Sequence, residues 1–223
     1  MLWDADSDIV MPRKDYEKLL AHSRVNDNII IISNRNTQGC THPFCYANLV
    51  DQRTTMSSSF LGDKSGKGVF IDVFPIDPLP ENRFSRRILL TRMKWLDILL
   101  WYSVLPNSTF ERKTIKGKIR ALIAMCAKKL DAQRIQAKIE NACKKNKGEN
   151  HLSMYAHFVS HIWGFDYGDI SSFEPSRRML FEGVELPIPA KSEKLLEGIY
   201  GDYMTPPPVE KQQGHHKTNF YWK

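Results

Sequence analysis

The chain has 223 residues, 42% of them hydrophobic and 26% charged, which is the balance of an ordinary folded protein and excludes a disordered chain. At this length one domain, or one with a small lobe, buries about 70% of the surface its unfolded chain exposes. The net charge of +7 is uneven: 12 Lys or Arg stand against 3 acids between Glu111 and Lys147, a local +9 that leaves −2 for the rest.

In Trp3-Asp4-Ala5-Asp6-Ser7-Asp8-Ile9, a strand puts Asp4, Asp6 and Asp8 on one face. A row of carboxylates repels itself and strands are poor in Asp, so the pattern calls for a cation. Hard divalent ions take carboxylate oxygens and grip phosphates at the same time. The plain alternative is a solvated acidic turn. This acidic start is not the basic and apolar pattern of a secretory leader.

Pro12 and Asp15 open an expected helix from Arg13 to His22, with Tyr16, Leu19 and Leu20 at helical spacing. Asn28 to Ser33 and Phe44 to Asp51 read as strands. Asp51, Arg53, Thr54 and Thr55 read as polar loop residues. The four cysteines, Cys40, Cys45, Cys126 and Cys143, have no paired spacing and read as reduced thiols of a cytoplasmic protein. Cys40, His42 and Cys45 lack the second ligand pair that a zinc site needs.

Asp63 to Gly68 is a glycine-bearing turn before a strand from Gly68 to Asp77, whose apolar run holds one carboxylate, Asp72. A carboxylate in such a run needs a partner: a metal, an Arg or backbone N–H groups. Pro75, Pro78 and Pro80 are expected to end that strand. Arg86 to Leu105 reads as a helix that Arg92, Lys94 and Asp97 keep from crossing a bilayer. It is expected either to cover the core or to lie at a membrane surface, where its Trp and Tyr residues are favoured. Ile115 to Lys144 reads as a second helical section, with Ile119, Leu122, Ile123, Met125 and Leu130 as its apolar stripe and Lys and Arg opposite. That basic face is either simply solvated or a site for phosphate-rich acceptors or anionic lipid; nucleic acid is not expected, because no aromatic residue interleaves to stack on bases. After a polar break at Lys144 to Asn150, Met179 to Leu186 reads as a hairpin or edge strand. Lys191 to Tyr200 reads as a helix stopped by Gly201, and Lys217 to Lys223 as a tail packing back.

Four stretches together carry a resemblance. Trp3 to Ile9 with Met11-Pro12-Arg13-Lys14-Asp15-Tyr16 resembles the W-D-D-D-x-D-I and M-P-R-x-D-Y signatures of the LicD family of phosphotransferases, to which the fukutin-related proteins are similar. Gly68 to Asp77 resembles its G-I-F-I-D-I-F-P-L-D block. Phe181-Glu182-Gly183 with Pro187 and Pro189, and Tyr200-Gly201-Asp202-Tyr203-Met204 with the prolines Pro206 to Pro208 and His215-His216, resemble its last two blocks. The chain departs from the pattern at Ala5 and Ser7. It also has no counterpart of the phosphate-holding segment that precedes the family's acidic stretch, as expected of a fragment, a shortened product or a divergent member.

The resemblance implies an α+β, nucleotidyltransferase-like mixed sheet (1–80) with a helical lobe (81–150) and a turn-rich C-terminal part (151–223), all in one domain. It implies Mg2+ or Mn2+ held by Asp6, Asp8 and Asp72, which are also the catalytic residues. Asp4, Arg13, Asp51, Asp77, Asp202, His215 and His216 are then expected near the substrates. The implied partners are a CDP-alcohol donor, CDP-choline above all, and a glycan or teichoic acid acceptor, lipid-linked in some cases. The implied location is the cytoplasm, with peripheral contact at the inner face of the membrane. The other expectation is a catalytically inactive, truncated module that only binds.

Overall fold

Residues 7–40, 42–58, 66–104, 114–145, 154–156, 168–206, 208, 212 and 218–223 are described by a computed structural model. Its central strand, β5 (Phe70–Pro78), is the apolar run around Asp72. β1 (Asp8–Pro12) lies parallel to it, and β3 (Ala47–Asp51) antiparallel. β2 (Ile29–Ser33) pairs with β3, while β6 (Met154–Ala156) and β7 (Gly168–Asp169) extend the sheet, giving the order β2-β3-β5-β6-β7 with β1 beside β5. The sheet is therefore mixed. Among the described residues five helices accompany it, so the chain is an α+β protein.

Each face of β5 has its own cover, as an apolar central strand requires. On one face α1 (Arg13–Leu20) packs Tyr16 against Val73 and Ala47. On the other, Phe74 joins Phe44 and Tyr46 in a cluster closed by α2 (Arg83–Val104) and α4 (Ala132–Lys145), through Met93, Leu100, Ile135 and Ile139. Charged groups tie α1 to α4: Arg35 bonds both Glu17 and Glu140, and Lys144 reaches Glu17 at 3.2 Å. These cations hold the Glu17 carboxyl at about 2, below its usual range, the hydrogen bond from Arg35 being the largest cause.

Four expectations are corrected. The helical section from Ile115 to Lys144 is two helices, α3 (Ile115–Ala127) and α4, because Asp131 turns the chain and accepts the Gln133 N–H at 2.9 Å as a cap. The stripe on α3 also faces outward: Ile119, Leu122, Met125 and Leu130 are exposed, whereas Gly117, Ala121, Ala124 and Ala127 are buried. Small side chains let two helix backbones approach closely, so this face and not the bulky one lies inward. Pro75 does not end β5, since it lies inside the strand opposite Met11 of β1 and beyond the last pair with β3, whereas Pro78 is the strand's last residue, as expected. Thr54 and Thr55 begin a strand, β4 (Thr54–Ser58), and not a loop, because the chain's last strand, β10 (Thr218–Trp222), pairs along it.

The C-terminal part contains the hairpin β8 (Arg177–Phe181) and β9 (Val184–Ile188) and the helix α5 (Ser192–Tyr200). Glu182 and Gly183 both have positive φ, 50° and 81°, the conformation of a tight turn that follows the twist of its strands. The segments 59–65 and 146–153, where the glycine-bearing turn and the polar break largely fall, lie outside the described residues. No helix among the described residues is long and apolar enough to cross a membrane.

Candidate functional site

The register of three strands brings the site together. Asp8 of β1 is the cross-strand partner of Asp72 of β5, and Asp72 is the partner of Asn48 of β3. Cross-strand partners project from the same face of a sheet whose strands lie about 4.8 Å apart, so Asp8, Asp72 and Asn48 form a lateral row. The row runs inward from solvent: Asp8 is exposed, Asp72 half-buried and Asn48 fully buried.

A buried cation stands behind the row. The Asn48 amide donates to Oδ1 of Asp72, and its own carbonyl oxygen accepts from Nζ of Lys67 at 2.5 Å. Lys67 is 3% exposed, 2.9 Å from Nδ1 of His42 and 5.3 Å from the centre of the Phe70 ring. Burial lowers its pKa to about 8, with the Asp72 charge pulling the other way. Nε2 of His42 lies 2.6 Å from the Tyr46 carbonyl oxygen. An ammonium only donates, so Nδ1 of His42 accepts and the proton resides on Nε2, which donates to Tyr46. Burial pushes His42 down to about 3, and the neighbouring Lys67 charge adds to it, so the ring is neutral. The relay Tyr46–His42–Lys67–Asn48–Asp72 thereby fixes one oxygen of the outer carboxylate pair.

Local backbone explains why Lys67 is held inside. The residue after it, Gly68, passes so close to Asp51 and Thr54 that a Cβ there falls 2.3 Å from the Asp51 carbonyl oxygen and from Oγ1 of Thr54. Only glycine fits that crossing. The Lys67 carbonyl accepts the Met56 N–H at 2.9 Å, which fastens the segment to β4.

Other expected site residues are placed elsewhere. Arg13 and Asp77 bond one another, Nε to Oδ1 at 2.8 Å and Nη2 to Oδ2 at 2.5 Å, with Asp77 wholly buried. Asp51 accepts from the Arg53 backbone N–H at 2.9 Å and from its guanidinium, closing the turn between β3 and β4. Asp202 is exposed and accepts from the Thr205 hydroxyl at 2.6 Å. Asp4, Asp6, His215 and His216 lie outside the described residues. Among the described residues no group of three His, Cys, Asp or Glu is gathered closely enough to hold a metal. The cysteines are free thiols, and His42 spends both ring nitrogens on Lys67 and Tyr46 and none on Cys40 or Cys45.

Asn48 and Lys67 were not singled out by sequence. A lone Asn in the apolar run Ala47–Val50 is the signal that was there, but its meaning depends on β3 lying opposite Asp72, which no local pattern encodes.

The row offers carboxylate oxygens open to solvent at one end and a buried ammonium at the other. No protein-family model, no curated protein and no solved structure matches the chain.

Proposed function

We propose that the chain is a divalent-metal-dependent phosphotransferase of nucleotidyltransferase-like fold. It moves a phosphorylated alcohol, phosphocholine from CDP-choline in the first instance, onto a glycan or teichoic acid acceptor in the cytoplasm or at the inner face of the membrane. The observation that supports this reading is the register of Asp8 with Asp72 on one face of adjacent parallel strands, with Asn48 behind.

In this reading Asp8 and Asp72, together with Asp6 of the same sequence pattern, hold Mg2+ or Mn2+. Of this set Asp8 is exposed and Asp72 half-buried, and carboxylate oxygens are the donors that such an ion takes. When bound, the ion neutralises charge at the donor pyrophosphate. Asp72 completes that site or takes the proton of the acceptor hydroxyl. Asn48 keeps one Asp72 oxygen turned inward and so orients the carboxylate. The acceptor oxygen forms its bond to phosphorus in line with the bond that breaks, and CMP departs with the bridging oxygen. Lys67, buried two positions inward, offsets the repulsion between the carboxylates.

The test is calorimetric titration of the folded chain with CDP-choline and with CDP-ribitol, in Mg2+ and then in EDTA. Metal-dependent binding of either supports the reading. Absence of binding in a protein with its native circular dichroism favours the inactive binding module instead.

A further inference from the structure

The helix α3 turns its bulk away from the protein. Ile115, Ile119, Leu122 and Met125 are 79%, 54%, 59% and 55% exposed, while Gly117, Ala121, Ala124 and Ala127 are buried. At 3.6 residues per turn the four large side chains span an arc of about 120° opposite the buried small ones. Solvent-facing helix surfaces ordinarily carry polar residues, and this one carries the reverse.

Charge identifies what covers it. Between Thr114 and Leu130 stand five cations, Lys116, Lys118, Arg120, Lys128 and Lys129, and no acid. Lys118 lies within the apolar arc between Leu122 and Met125, Lys116 stands about 60° beyond its Ile119 edge, and Arg120 lies farther round, all exposed. Long cationic stems within or beside an apolar face place their ammonium groups at headgroup level while the apolar side chains enter the acyl boundary. A second copy of so positive a face repels the first, and the segment has no aromatic residue to stack on a nucleic acid base.

We infer that α3 lies flat on an anionic phospholipid surface, with Ile115, Ile119, Leu122 and Met125 inserted and the flanking cations against the headgroups. This contact is independent of the proposed phosphotransfer, because it uses no residue of the Asp8–Asp72 row. Neither metal nor nucleotide is needed for it.

Flotation of the full chain with vesicles of phosphatidylcholine, with and without phosphatidylglycerol and in EDTA, tests it. The expected result is binding only to the anionic vesicles, weakened by salt, and reduced at least about tenfold in the Ile119→Glu, Leu122→Glu double variant. The Lys116→Glu, Lys118→Glu variant, which removes no apolar group, is expected to lose anionic binding as well. Circular dichroism checks that both variants keep the fold. Wild-type protein that ignores anionic vesicles, or binds neutral ones equally, overturns the inference. So does a double variant that floats like the wild type. A wild-type dimer in light scattering that the double variant converts to monomer overturns it too, by naming a second copy as the occupant.

Discussion

Nζ of Lys67 lies 2.9 Å from Nδ1 of His42, and both side chains are buried. An ammonium kept from water carries a cost that is fully present below its folded pKa of about 8. As pH rises from about 8 toward the ordinary 10.5, the native state sheds the proton before the unfolded chain does. The unfolded state then binds more protons, so stability rises with pH over that window, by up to ~3 kcal/mol from this group. Urea denaturation of wild type and Lys67→Met protein at several pH values between these limits checks it: the wild type is expected to gain on the variant as pH increases. Parallel curves would overturn the account.

The acid limb belongs to His42. Its folded pKa of about 3 lies below the ordinary 6.5, so between those values the unfolded chain takes up a proton that the native state refuses. Stability is lost as pH falls through this window, by up to ~5 kcal/mol. Glu17, held at about 2, adds a loss at the lower end. His42→Gln protein removes only the histidine part, and its denaturation midpoint is expected to fall less than that of the wild type between pH 6.5 and pH 4.5, before Glu17 titrates.

Asp8 is the clean probe of the proposed metal site because it is exposed. Asp8→Asn is expected to change stability by no more than about 0.5 kcal/mol while abolishing Mg2+-dependent nucleotide binding. Asp72→Asn keeps an oxygen for the Asn48 N–H but removes the charge that favours the buried Lys67 ammonium, and is expected to lower stability as well as binding. Calorimetry and thermal melts on the same samples separate the two. Undiminished metal-dependent binding by Asp8→Asn protein would sink the metal assignment.

Arg13 and Asp77 form a bidentate pair in the interior, the carboxylate wholly buried. Arg13→Ala strands that charge and is expected to cost about 3–5 kcal/mol in urea denaturation. Replacing both by apolar residues, Arg13→Met with Asp77→Leu, is expected to recover most of the loss, because removing both charges removes the desolvation penalty with the attraction. A double variant as unstable as the single one would show that the pair itself, and not the stranded charge, carries the energy.

The same residues show what sequence conveys. The central strand, α1, α2 and the β8–β9 hairpin were legible because each is a local pattern: an apolar run, a helical period, or a turn at Glu182-Gly183. The outer carboxylates were legible too, since Asp in a strand is unusual enough to ask for a reason. The resemblance set Arg13 and Asp77 near the substrates, yet their partnership spans 64 positions and shows only in three dimensions. The direction of α3 was not legible for a related reason: periodicity finds an apolar stripe but does not say whether bulk or smallness fits the neighbouring helix. β4 escaped notice because the strand that completes it comes at the far end of the chain.

That completing strand has a reach beyond its own length. Phe220 of β10 lies opposite Met56, and the Met56 N–H is bonded to the carbonyl of Lys67. The last residues of the chain thus act as a clasp on the backbone that carries the buried ammonium. Peeling them away, by truncation or by a fused partner pulling on the terminus, loosens the inner end of the acidic row through two sheet contacts while leaving every carboxylate intact.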